Sequence, residues 1–382
     1  MAEGSGAVPD PGDEAVRLLT ELVGVDSVNP GLVPGAAGER EVVDLLAARL
    51  QRSGFATTVV PAPGDADRPS LVAVPSGPPA GPTLVLNGHL DTVGVEGMAE
   101  PFAARVDGDR LHARGAADMK GGVAGLVVAA EALVAAGAPV RPVLALVADE
   151  EDASLGSEAV VRALPDLGVH PAVCLVAEPT DLALCRSVRG FAVVRVALPG
   201  RAAHSSQAEQ GVNAVAHLGR LLVAVEERAA AVRAAGGDLM VTVARGGTSP
   251  FVVPDAAECL VELRTTAEQD AATALDVVRG LLDPAWRASA ETVMHRDGWS
   301  LDTDGPAADL AARLGASLGT GATFDAPYWL EAPLWQAVCP TLVCGPSGGG
   351  LHAVDEWVDL RQVRRFARAL VEVLSGGPAR AD

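Results

Sequence analysis

The sequence predicts an α/β fold: a mixed, mostly parallel β-sheet sandwiched by helices, interrupted by an inserted ferredoxin-like α+β domain. Three observations predict it. Continuous apolar runs such as Val143–Ala148 and Ala172–Ala177 have the pattern of strands buried on both faces, as strands of parallel sheets are. Helical patterns alternate with these runs, which is how such a sheet is covered. After Cys185 the order changes to strand–helix–strand–strand–helix–strand, the order of a ferredoxin-like unit. At 382 residues the chain is long for one core and suits two domains.

In chain order, the first helix covers Asp13 to Val23, with Asp10 or Asp13 as its cap. A second amphipathic helix runs from Glu39 to Ser53. The short apolar runs Ala56–Val60, Ser70–Val74 and Thr83–Asn87 are strands. A long helix over Gly121–Ala136 follows a glycine pair. The strand Val143–Ala148, a helix over Ser157–Ala163 and the strand Ala172–Ala177 complete the first part. In the insertion, Gly190–Leu198 alternates as a half-exposed strand and a long helix spans Gly211–Ala235. Strands Leu239–Arg245 and Ala257–Arg264, a helix over Ala271–Leu282 and a strand over Thr292–His295 follow. A helix over Ala307–Leu318, a strand over Thr341–Cys344 and a last helix over Leu360–Leu374 return to the first domain. The boundaries are 12–187 and 298–376 for the two parts of the main domain and 188–297 for the insertion, with flexible tails at 1–11 and 377–382.

Composition narrows the function. The net charge of −20 repels phosphate backbones, so nucleic acid is not an expected partner. The apolar run near Val123–Ala130 is too short to span a bilayer, and the first residues lack the basic start and apolar run of a secretory signal. Five cysteines in no C-x-x-C spacing read as buried thiols of a cytoplasmic protein.

Several acids and histidines stand where apolar runs end. His89 and Asp91 follow the run Leu84-Val-Leu-Asn-Gly; residues two apart on an extended backbone point the same way, so the carboxylate can orient the imidazole. Asp118 lies in Arg114-Gly-Ala-Ala-Asp-Met-Lys-Gly-Gly, just before a helix, and the spacing is not that of a phosphate loop. Asp149-Glu150-Glu151-Asp152 directly follows a buried strand, and packing such acids together costs repulsion unless cations neutralise it. Glu178 ends another buried strand. His204 sits in a polar loop of the insertion, and His352 follows a glycine loop after a short strand. Imidazoles and an excess of carboxylates without a cysteine suit a pair of zinc ions, with Co2+ or Mn2+ as alternatives, and not a structural zinc cage.

Taken in order, these motifs resemble the co-catalytic zinc deacylases and exopeptidases, the family of acetylornithine deacetylase, succinyl-diaminopimelate desuccinylase, aminoacylase and glutamate carboxypeptidase. The resemblance runs through Gly88-His-Leu-Asp-Thr-Val, Arg114-Gly to Asp118-Met-Lys-Gly-Gly, Asp149-Glu-Glu, Ala177-Glu-Pro-Thr, Gly200-Arg-Ala-Ala-His-Ser-Ser with Gly211-Val-Asn-Ala, and Gly345-Pro with His352 and Asp355-Glu356. It implies a zinc-exopeptidase-like main domain. It also implies a first metal on His89, Asp118 and Glu178 and a second on Asp118, Glu151 and His352, with a cis Asp118–Met119 bond. Asp91 would support His89, and Glu150 would be the general base. His204 would stabilise an oxyanion, and Arg264 would grip a substrate carboxylate, with Phe251 and Gly349 also at the substrate. A homodimer through the inserted domain is implied too. The substrate would be a small N-acyl amino acid or a dipeptide-like molecule.

The Glu-Pro-Thr and Ala-His-Ser-Ser forms are closest to the acetylornithine deacetylase branch. Gln207-Ala208, Phe251 and Tyr328-Trp329-Leu330-Glu331 depart from it, at positions expected to face the substrate. The chemistry is therefore better specified than the substrate.

Overall fold

The structure is a computed structural model in which residues 9–376 are described. It consists of two compact units. One comprises the residues up to Cys185, Leu301–Phe324 and those from Glu331 onward; the other comprises Arg186–Ser300 and Asp325–Leu330. The tails expected at 1–11 and 377–382 lie outside the described residues, apart from 9–11. There Asp10 caps the helix Pro11–Val23, accepting from Asp13 N, and pairs with Arg368.

The first unit is built on a six-stranded sheet in the order Phe55–Ala62, Asp65–Pro75, Arg141–Val147, Thr83–His89, Val173–Val176, Thr341–Val343. The first three pair antiparallel, and the last four run parallel. Thr83–His89 is buried along its whole length, which its apolar run requires. The helix Gly121–Ala135 is apolar nearly all round and packs under the helices Pro11–Val23 and Leu360–Ser375 and beside the sheet. A helix apolar on every side is stable only when covered on every side. Gly122 permits the close fit: a Cβ there would stand 2.3 Å from the Ala177 carbonyl.

This topology decides where the chemistry gathers. Register places His89 opposite Val147 and Asn87 opposite Val176, so neighbouring parallel strands end together. Their continuations deliver His89, the acids 149–151 and Glu178 to one edge, the carboxyl edge where α/β sheets collect their ligands. A small antiparallel sheet missed by sequence pattern, Gly348–Gly349, Trp357–Asp359, Arg110–His112 and Arg105–Asp107, ties the loop bearing His352 to the segment before Asp118. Its strands have two or three residues, too few for a period to register.

The second unit has an antiparallel sheet in the order Asp238–Gly246, Ala256–Thr265, Gly190–Pro199, Ser289–Arg296. The helices Ala214–Ala234 and Ala271–Arg279 cover one face, around Val194, Val196, Leu221 and Val261. That is the ferredoxin-like order read from the sequence. Asp325–Leu330 joins this unit because Asp325 accepts from Ser187 Oγ at 2.7 Å and Trp329 packs edge-on to Phe191.

Among the described residues no helix is long and apolar enough to cross a membrane. All five cysteines are buried and unbridged.

Candidate metal centre

His89 ends its strand fully buried. Its Nδ1 lies 3.0 Å from the Asp91 backbone carbonyl and 3.6 Å from the Asp91 carboxylate. The Nδ1 proton therefore has the carbonyl as its nearer acceptor, with the carboxylate expected from the i, i+2 spacing beside it. The carboxylate is otherwise engaged: it accepts from the backbone N–H groups of Glu150 and Glu151, both at 3.1 Å, and from Asn29 Nδ2 at 2.8 Å. Protonation at Nδ1 leaves His89 Nε2 with its lone pair free to serve as a ligand. That nitrogen is 3.0 Å from Asp118 Oδ1.

Asp118 stands between the two histidines. Its other oxygen, Oδ2, is 3.3 Å from His352 Nε2, and the same nitrogen is 3.0 Å from Glu151 Oε2. The Asp118–Met119 peptide is cis. Glu356 holds this segment in place, accepting from the backbone N–H groups of Gly115, Ala117 and Asp118 and from Arg114 Nη1 at 2.6 Å. Arg114 in turn donates to the Ala353 carbonyl beside His352. Glu356 stands in the Asp355-Glu356 motif, but only its contacts across the chain reveal its role.

Ligand atoms of His89, Asp118 and Glu151 lie within 4.8 Å of one another, and so do those of His89, Glu150 and Glu178. The donor set of imidazole nitrogens and carboxylate oxygens fits divalent cations such as zinc. The geometry puts Glu150 as close to His89 and Glu178 as a ligand would be.

The electrostatics describe a cluster with too much negative charge for its burial. Burial, reinforced by neighbouring acids, pushes Glu178 up to about 8 and Glu150 well above the usual carboxylate range. Burial would also raise Asp118, but His352 and His89 hold it low. Asp118 and Glu151 push His352 up to about 10. Glu331, expected at the substrate, is fully buried, accepts from Ser157 Oγ at 2.7 Å, is pushed up to about 8 by burial, and its charge reaches Glu150 and Glu178 of the cluster. It directly precedes the helix Ala332–Gln336, which carries it into the core.

The remaining candidates are placed differently. Gly349 pairs with Trp357 in the small sheet, where a Cβ would stand 2.8 Å from the indole nitrogen. In the second unit, His204 Nδ1 accepts from Ser206 N and lies 2.8 Å from Ser206 Oγ. Phe251 is 68% exposed. Arg264 pairs with Glu262 at 2.7 Å, two residues away on the same strand, and its guanidinium lies 5.4 Å from the Phe191 ring centre. Of these two partners only Glu262 stands close to Arg264 in sequence, at the i, i+2 spacing that puts both side chains on one face of the strand.

Comparison with known proteins shows the family and the fold. Residues 85–376 match the peptidase family M20/M25/M40. The succinyl-diaminopimelate desuccinylase of Dinoroseobacter shibae is 30% identical over 94% of this chain and 98% of its own length. The acetylornithine deacetylase of Myxococcus xanthus is 29% identical over 94% and 97%. Among solved structures, a dinuclear metal binding peptidase from Bacillus subtilis superposes with a TM-score of 0.70 at 17% identity, covering 95% of this chain and 98% of that one.

Proposed function

This chain belongs to peptidase family M20/M25/M40, and on that footing we propose that it is a two-metal amidohydrolase removing an N-acyl group, in the first instance acetyl, from an amino acid-like substrate. The observation that carries the reading is the pair of histidines and the carboxylates converging on Asp118 at the strand ends. His89, Asp118 and Glu178 would hold one cation and Asp118, Glu151 and His352 the other. Zinc is the first choice and Co2+ or Mn2+ the alternatives. Two such cations acidify a water and polarise the scissile carbonyl.

The chain's own residues do the rest. Glu150, half-buried and pushed up in pKa by its surroundings, takes the proton from the attacking water and delivers it to the leaving amine. His204, with Nδ1 engaged by Ser206 N, presents a protonated Nε2 as a hydrogen-bond donor for a developing oxyanion. Arg264 offers the planar fork that suits a free carboxylate. The desuccinylase and deacetylase relatives support a deacylase, and the likeness to the dinuclear Bacillus subtilis peptidase supports a two-metal site. We assign the second unit to homodimerisation and the protein to the cytoplasm.

A dipeptidase or carboxypeptidase would use the same centre. The deciding experiment offers N-acetyl, N-succinyl and other N-acyl amino acids beside simple dipeptides, with metal content measured on the same sample. Faster release of acyl groups than of amino acids is expected. Turnover of dipeptides alone would replace the deacylase reading, and full metal occupancy without hydrolysis of any of them would mark a non-catalytic metal binder.

A further inference from the structure

A row of buried charged and polar side chains leads away from the metal cluster into the first unit, and the reaction does not use it. Glu39, next to the helix Arg40–Arg52, is fully buried. Arg68, on the strand Asp65–Pro75, grips Glu39 with its fork, Nη2 to Oε1 at 2.6 Å and Nε to Oε2 at 2.9 Å. Its remaining nitrogen, Nη1, reaches Asp149 Oδ1 at 2.9 Å. Asn29 bridges onward, its Nδ2 donating to Asp149 Oδ1 at 3.2 Å and to Asp91 Oδ2 at 2.8 Å. Asp91 then receives the backbone N–H groups of Glu150 and Glu151 and lies beside His89.

Three features make this more than core packing. Asp149 heads the acidic run, adopts φ +68, a left-handed backbone uncommon outside glycine, and accepts from Leu155 N. It therefore anchors both ends of the turn that aims Glu150 and Glu151. Asn29 is anchored at three more points: its own N donates to the Thr92 carbonyl, its Oδ1 accepts from Gly31 N at 2.8 Å, and its backbone carbonyl accepts from Val33 N. Its amide group is thus held in one orientation. Finally, Arg68 is the cation that faces both Glu39 and Asp149, and a buried acid that loses its partner is strongly disfavoured.

We propose that Arg68 and Asn29 are positioning residues of the metal centre, acting through Asp149 and Asp91 on the turn that carries Glu150 and Glu151 and on the carboxylate beside His89. The inference rests on the metal-centre reading above. Groups behind first ligands set their orientation, and altering such groups changes metal affinity or turnover by about 10–100-fold. The row spans a distance in sequence that no local motif covers, since Asn29 and Asp149 are separated by 120 positions.

The test uses the full chain loaded with zinc and, separately, with cobalt. Arg68→Met and Asn29→Ala are compared with Arg49→Met, which breaks an ion pair of Arg49 with Glu131 and Glu14 outside the row. Thermal midpoint, metal affinity by chelator competition, the visible spectrum of the cobalt form, and kcat and KM are read on each. The two row variants are expected to bind metal about 10–100-fold more weakly, to shift the cobalt spectrum and to lose kcat with little change in KM. Arg49→Met is expected to lose stability alone, and Arg68→Lys, which keeps the charge, to recover part of the affinity. If Arg68→Met does not fold, Asn29→Ala and Arg68→Lys decide the matter. Wild-type affinity and cobalt spectrum in folded row variants would overturn the proposal while leaving the metal centre intact. A wild-type protein that binds no metal would overturn the metal-centre reading itself.

Discussion

His89, Glu150, Glu151 and Glu178 stand where buried parallel strands end, whereas His204, Phe251 and Arg264 stand on the partly open side of a sheet or in polar loops of the second unit. The metal cluster is held from several directions: Asp91 binds three donors, among them the Glu150 and Glu151 amides, and Glu356 binds four in the segment of Asp118. The second group has fewer partners, near neighbours in sequence foremost: Ser206 for His204, and Glu262 for Arg264, whose guanidinium also lies over the Phe191 ring. Groups fixed by buried partners are built in advance for one geometry, as catalysis demands. Groups fixed by one or two partly exposed neighbours exchange them for a substrate at lower cost than groups locked among several buried partners.

The largest effect that probes this contrast is on Glu150. Glu150→Gln is expected to lower kcat by about 10²–10⁴-fold with two metals retained, because the amide cannot take a proton. Metal analysis on the purified variant checks it; loss of one equivalent would turn Glu150 from base into ligand, a role its position near His89 and Glu178 also permits.

Next comes Arg264→Lys. It loses the planar fork, so kcat/KM for substrates with a free carboxylate is expected to fall by about 10–100-fold, mainly through KM, with metal content unchanged. Steady-state kinetics on carboxylate and amidated forms of one substrate check it. Equal losses on both would assign Arg264 to its pair with Glu262 alone.

The remaining effect is on stability and lies outside the site. Lys120 is fully buried, donates to the Leu22 and Val25 carbonyls, and is pushed down to about 8 by burial, against an ordinary 10.5. Between those values the folded chain carries fewer protons at this group than the unfolded chain, so stability rises with pH across the window. Urea unfolding of the wild type relative to Lys120→Met is expected to show a gain of up to about 3 kcal/mol from pH 8 to 10.5. A flat difference would place a protonated, fully stabilised amine there.

Much of this was legible in the sequence, for a physical reason. Apolar runs and helical spacing report burial within a single element, so the strand carrying His89, the acids after Val147 and the helix after Asp118 could be read locally. The surroundings of Glu331 could not: it stands in Tyr328-Trp329-Leu330-Glu331, which departs from the family pattern, and only the fold shows it fully buried with Ser157 as its donor. Nor could Arg68, which reads as a lone arginine just before the strand Ser70–Val74 until Glu39 and Asp149 are brought to it.

The order of residues along the chain was enough to set the alternation of strands and helices, the ferredoxin-like insertion and the residue types that gather at strand ends, because each depends on periods of a few residues. Which carboxylates meet was settled by the folded chain alone. Asp118 lies between His89 and His352, Glu356 reaches back 238 positions to hold the Asp118 amide, and the Asp91 carboxylate serves the turn of Glu150 and Glu151 while its carbonyl serves His89. Those meetings follow from strand order and register, which pair residues far apart in the chain and leave no local trace.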